Sequence, residues 1–117
     1  FQAIKHKLAD MLVDVEHARS AAYYAVWALA DGSDDPALVT SIAQAVSSAA
    51  FSRIAADTIQ VHGGIGFTWE HQAHLYFKRA ATDAALLGTA EQHRDRVAES
   101  VLDTAVAQTG AVKVATG

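Results

Sequence analysis

The chain has 117 residues, 51% of them hydrophobic, a formal charge of −4 and no cysteine. That is one domain's worth of chain with enough apolar side chains for a core. It has no thiolate metal site or disulfide framework, no run long and apolar enough for a bilayer span, and too little basic charge for nucleic-acid binding as a main task. The expected partners are small molecules and other protein surfaces, with neither nucleic acid nor membrane among them. The absence of cysteine and of a basic-then-apolar leader fits a reducing, cytoplasmic setting.

Ile4, Leu8, Met11, Leu12, Val15, Ala18, Ala22, Val26 and Leu29 recur at helical spacing and predict one long amphipathic helix from the start of the chain. Gly32 can close it in a left-handed cap. Ser33-Asp34-Asp35-Pro36 then offers an aspartate N-cap with proline at the first helical position. A second helix carries Leu38, Val39, Ile42, Val46, Ala49, Ala50, Ile54, Thr58 and Val61, its many Ala and Ser residues allowing close helix approach, and is expected to end at Gly63 and Gly64.

The next stretch, residues 60–79, reads QVHGGIGFTWEHQAHLYFKR. Gly63, Gly64 and Gly66 permit backbone conformations and close approaches closed to other residues, and Phe67 and Trp69 pin the segment. Spacing leaves two readings open, a ligand-contacting loop or a plain helix-to-helix connection. A dinucleotide fingerprint is excluded, since no strand precedes and the third glycine is missing. Thr68 can cap a third helix through Leu75, Phe77, Ala80 and Ala84 to about Leu87, where Gly88 breaks it. Thr89 can cap a fourth, with Glu91 in its first turn and an apolar stripe of Val97, Val101, Leu102 and Ala105. Past Gly110 the pattern fades into an expected tail, 111–117. With no alternation of strand type, the reading is an all-α antiparallel bundle over residues 1–117, three long helices and a shorter one.

Glu70, His71 and His74 could lie near one helix face with His62 close in sequence, but the spacing is neither His-Glu-x-x-His nor another established ligand geometry. They are read as polar helix-start residues at a subunit surface. Tyr23, Tyr24 and Trp27, and Tyr76 with Phe77, are read as core or interface. Glu91, His93, Arg94, Asp95, Arg96 and Glu99 are read as a solvated or intersubunit face with local ion pairs.

Gln60, Gly63, Gly64, Gly66 and Phe67 match in order and spacing a segment of the acyl-CoA dehydrogenase family, which the chain resembles over its length. Phe1-Gln2-Ala3-Ile4 followed by Leu8-Ala9-Asp10-Met11 resembles the family's second bundle helix, and Gly88-Thr89 the Gly-Thr after its usual catalytic glutamate. The resemblance implies the C-terminal helical domain of an FAD-dependent oxidoreductase that desaturates acyl-CoA thioesters in fatty-acid or related acyl catabolism, the first bundle helix and two further domains lying before Phe1. It implies a flavin shared between subunits of a homo- or heterotetramer built as a dimer of dimers. Cofactor contacts are then expected from Gln60, Val61, His62, Gly63 and Gly64 toward the neighbouring subunit's adenosine and pyrophosphate portion, and from Thr89 and Glu91.

One departure stands out. The family's base position is held by Leu87, which accepts no proton. Either the base lies upstream of Phe1, or it belongs to a partner in a heteromeric pair, or the chemistry has changed to that of a related flavin monooxygenase or nitroalkane-oxidising enzyme. A non-catalytic helical interaction domain is the reading from a different class. Glu91 adds a further tension, because an ionised carboxylate is disfavoured beside a pyrophosphate.

Overall fold

A computed structural model describes the backbone of residues 1–65 and 70–115 and the side chains of residues 1–63 and 72–110. Four helices follow in order, α1 (Gln2–Asp31), α2 (Pro36–Ile65), α3 (Glu70–Leu86) and α4 (Ala90–Ala115). Three are long and α3 is the shorter one, as the periodicity predicts. The first turn is built as expected: Gly32 takes φ 68° and ψ 22° and donates its N–H to the Ala28 carbonyl at 2.9 Å. Asp35 Oδ1 then accepts the Ala37 N–H at 2.9 Å, and Pro36 opens α2. Two expected ends move. α2 runs through Gly63 and Gly64 to Ile65, and α4 continues through Gly110 to Ala115. Both glycine positions cost helix stability but neither breaks the ladder. The Thr68 cap and the Phe67 and Trp69 pins lie outside the described residues.

The helix at the centre is α2, which packs against each of the other three. Its composition explains this, because apolar and small residues surround its axis, the pattern of a helix buried on every side. The seam with α1 is made of small side chains: Ala25, Ala28 and Val39 are buried, with Ala43 packed against them. Ser41, Ala45, Ser48, Ala50 and Ala55 are buried along α2, and Ala73 and Ala80 of α3 are buried too. Small residues let helix axes close toward the short end of the usual 8–10 Å spacing. Two ion pairs fix the antiparallel register of α1 and α2, Lys7 Nζ to Asp57 Oδ1 at 2.5 Å and Arg53 forked on Asp14 at 2.9 and 2.7 Å.

The larger apolar residues behave differently from the pattern read in sequence. Leu8, Leu12, Val15, Val26 and Leu29 of α1, Leu75 and Phe77 of α3, and Val101 and Leu102 of α4 are all exposed. The packed faces are instead the alanine faces, with Ile4, Met11 and Ala18 the members of the α1 stripe that turn inward. Tyr23, Tyr24, Trp27, Tyr76 and Phe77 are exposed as well, which removes the core reading for them. Tyr24 and Trp27 stack at 5.8 Å between ring centroids, and the Tyr24 hydroxyl donates to Asp34, a bond that raises the phenol's pKa.

The radius of gyration is 19.0 Å, against about 13 Å for a compact chain of this length. The accessible surface is 8363 Å², where a compact monomer of this mass exposes about 6100 Å². Leu8, Leu12, Val13, Val26 and Leu29 of α1 leave an uncovered apolar stripe on that surface, a feature soluble monomers usually keep small. The 117-residue chain alone is therefore expected to self-associate. Light scattering at rising concentration checks this, and a clean monomer at high concentration would count against it.

The fork on Asp14 also has a signature in pH. Its hydrogen bonds to Arg53 hold the Asp14 carboxyl below the ordinary carboxylate value. A depressed folded-state pKa contributes stability above the unfolded value near 3.9, and this is lost as pH falls through the folded one. Asp14→Asn should thus lower stability at neutral pH by at most about 1 kcal/mol, the pair being solvent-screened, and the difference should vanish under strongly acidic conditions. Urea midpoints of both forms across pH test it.

Candidate functional site

Two segments carry the candidate contacts, and the fold keeps them apart. The first is the C-terminal end of α2. Gln60 is exposed and makes no hydrogen bond among the described residues, while Val61 is buried at the seam. His62 is half-buried, with Nδ1–H donating to the Thr58 carbonyl at 2.8 Å, which leaves Nε2 as the ring acceptor. Gly63 is exposed, and a Cβ built there meets no atom within 4 Å. As helical residues, Gly63 and Gly64 have their N–H groups committed to the ladder of α2. These two amides are therefore not free to cradle a pyrophosphate. The end of α2 offers an exposed carboxamide, an imidazole edge and a smooth glycine surface on which a planar or polyanionic group can lie close.

The second segment is the turn between α3 and α4. Gly88 takes φ 98°, and Thr89 caps α4 reciprocally. The Gln92 N–H donates to Thr89 Oγ1 at 3.2 Å and the Thr89 N–H to Gln92 Oε1 at 2.9 Å, a complete capping box. Glu91 sits exposed in the first turn of α4, where the helix dipole favours its charge. Leu86 and Leu87 are 71% and 68% exposed, so this pair forms an apolar lip on the turn. Leu87 also edges a groove of about 330 Å³ between α2 and α3, with Gln44, Ser47, Ser48 and Phe51 on one wall and Arg79 and Asp83 on the other. Arg79 and Asp83 pair at 2.8 Å.

That groove locates the turn beside the middle of α2. From Ser48 to His62 the axis of α2 advances about 20 Å at 1.5 Å per residue. Gln60, His62 and Gly63 are therefore not brought together with Leu87, Thr89 and Glu91 around one small ligand in this chain. Either the two groups serve opposite ends of one long molecule, or they serve separate sites.

His93 is the residue the sequence reading misplaces. It is not on a solvated face but buried at 7% exposure. Its Nε2 lies 2.8 Å from the Leu87 carbonyl, and its Nδ1 is buried with no hydrogen-bond partner among the described residues. A signal for it was present, since His93, Val97 and Ser100 share the inward spacing of α4. Nor do Glu91, Arg94, Asp95, Arg96 and Glu99 form ion pairs among the described residues. No group of three metal-ligating side chains gathers among the described residues, the side chains of Glu70 and His71 lying outside them. None of the described helices is long and apolar enough to cross a membrane.

The four-helix order and the capped Gly-Thr turn between α3 and α4 are those of an all-α helical domain. The family model for the acyl-CoA dehydrogenase C-terminal domain matches residues 1–102, and the chain belongs to that family. It is 37% identical over 101 residues to the acyl-CoA dehydrogenase IpdE2 of Mycolicibacterium smegmatis, covering 86% of this chain and 30% of that protein. To the IpdE2 of Mycobacterium tuberculosis it is 39% identical, covering 89% and 31%. To the acyl-CoA dehydrogenase FadE34 of the same organism it is 40% identical over 111 residues, covering 94% and 15%. The chain thus spans about a third or less of the length of these relatives. No solved structure matches it.

Proposed function

We propose that the chain is the C-terminal helical domain of an FAD-dependent enzyme that introduces an α,β double bond into an acyl-CoA thioester, working in a tetramer in a reducing, cytoplasmic setting. The observation that carries this reading is the match over residues 1–102, a span that includes the Gln60–Gly64 segment and the Gly88–Thr89 turn. The separation of about 20 Å along α2 supports a shared arrangement, in which the two ends of α2 and α3 attend different flavins of neighbouring subunits.

The residues present fit a flavin dinucleotide in part. Gln60 has an exposed carboxamide, unpartnered among the described residues and able to donate and accept, and Gly63 leaves open surface where a Cβ would otherwise stand. Thr89 keeps a hydroxyl hydrogen to donate while its oxygen caps α4. Glu91 fits less well against a diphosphate, because two negative charges would face each other. When bound, the flavin would supply a hydride acceptor for the β-carbon of the thioester. The chain's own residues bind and orient, and at Leu87, which the resemblance sets at the family's usual base position, there is no carboxylate to take the α-proton.

Leu87 favours the specific form in which the base comes from elsewhere, either from sequence before Phe1 or from a partner chain in a heteromeric pair. A related flavin monooxygenase, or an assembly domain without chemistry, is the competing outcome. The test is the full-length protein with its natural partners: a stoichiometric flavin whose visible band bleaches on anaerobic addition of an acyl-CoA supports the reading. A colourless full-length protein would sink it, and a flavin that reacts only with a reductant and oxygen would move it to the monooxygenases.

A further inference from the structure

His93 is a buried imidazole to which nothing in the proposed reaction assigns a task. Its partner at Nε2 is a main-chain carbonyl, which can only accept, so Nε2 carries the hydrogen. Nδ1 lies buried without a donor or acceptor facing it among the described residues. A hydrogen there would be an unpaired buried donor, costing more than an unpaired lone pair on a ring nitrogen. The geometry points to the Nε2–H tautomer.

We infer that His93 is a positioning residue for the turn that presents Leu87, an inference that rests on the flavoenzyme reading above. The carbonyl it holds belongs to the peptide unit joining Leu87 to Gly88. Fixing that oxygen fixes the plane of the unit, and with it the direction of the Leu87 side chain and the entry of Thr89 into its cap. The contact is close on a second side, since a Cβ at Gly88 would stand 3.1 Å from the same Nε2. Gly88 thus sits against the ring, and its φ of 98° carries the carbonyl toward it. His93 itself is anchored by the first backbone bond of α4, its N–H donating to the Thr89 carbonyl at 3.1 Å. The imidazole closes a loop back onto the carbonyl six positions before it. Leu86 and Leu87 are left as an apolar lip whose position is set from beneath by a group that never touches what the lip faces.

The experiment compares His93→Gln with His93→Asn in the full-length enzyme. Glutamine can return an N–H donor to the ε position, whereas asparagine places its donor one atom short. In acyl-CoA-dependent flavin reduction, the asparagine variant should lose about tenfold in limiting rate with little change in half-saturating acyl-CoA, as expected when orientation and not binding is lost. The glutamine variant should stay within about twofold of the parent. Equal rates in parent, glutamine and asparagine forms would overturn the inference. Two readouts do not depend on turnover. Nitrogen NMR of the parent should show the Nε2–H tautomer, and an Nδ1–H ring would overturn the latch. The asparagine variant should also exchange its Thr89 amide at least about tenfold faster, while an unchanged rate would count against it. A parent that shows no flavin reduction with an acyl-CoA defeats the functional reading, while the tautomer and the Thr89 exchange still decide the latch.

Discussion

Gly88→Val should be the most damaging single substitution in the α3–α4 region, costing about 3 kcal/mol or more. Two terms add. A β-branched residue at φ 98° lies outside its accessible backbone regions, a strain of about 1–3 kcal/mol. Its Cβ also meets His93 Nε2 at 3.1 Å and Gln92 Oε1 at 3.4 Å, and the ring cannot retreat without releasing the Leu87 carbonyl. Gly32→Ala is the informative contrast. Gly32 also has positive φ, but at 68° it lies in the left-handed helical region with open space around it, so only about 1–2 kcal/mol is expected. Gly110→Ala should go the other way and stabilise by up to about 1 kcal/mol, because this glycine is helical and uncrowded. Urea titrations at one fixed protein concentration rank the three, the fixed concentration being needed because association shifts apparent stability. Equal losses at Gly32 and Gly88 would mean that the His93 ring gives way freely.

Leu87→Glu should lower acyl-CoA-dependent flavin reduction in the full-length complex by about tenfold or more. If a base already serves the site from upstream or from a partner, a second carboxylate near it raises one of the two pKa values, and once that value passes the working pH each further unit costs about a factor of ten in the ionised form. The apolar lip of Leu86 and Leu87 would also be broken by a charge that must be desolvated when the site closes. A clear rise in rate would reverse the argument, showing that the site lacks only its carboxylate and that no other group performs the task. The two outcomes differ in sign, so unoptimised geometry at the new side chain does not blur them.

The helices and their punctuation were legible in the sequence because each signal is local. Gly32, Asp35-Pro36 and the Thr89 cap act on their own turn, and the structure uses each as read. Which face packs was not legible, because periodicity marks an apolar stripe without saying what covers it. Leu8, Leu12 and Leu29 fit a helical stripe as well as Ala25 and Ala28 do, yet the alanines take the α2 seam. Close approach of backbones along α2 selects small residues there and leaves the bulky stripe facing out. Gly63 and Gly64 misled for a related reason: their cost in a helix is about 1 kcal/mol each, which the packing of α2 can override. His93 was hidden among charged neighbours. Only its register with Val97 and Ser100 gave it away.

The central place of α2 has a consequence for how the domain opens and closes. Since α1, α3 and α4 each lean on α2 and hardly on one another, detaching one of them leaves the other two contacts standing. Opening should therefore proceed in pieces, with each outer helix released at its own free energy and α2 amides exchanging last, in the manner of separate cooperative units on one shaft. The same layout makes α2 a poor place to begin from one end. Its contacts with α1 begin beside the Gly32 turn, where Ala28 and Val39 are close in sequence, and can zip outward from there, whereas those with α4 wait for a chain span of some fifty residues to fold back, so the α1–α2 hairpin is the natural first structure and α4 the last to dock.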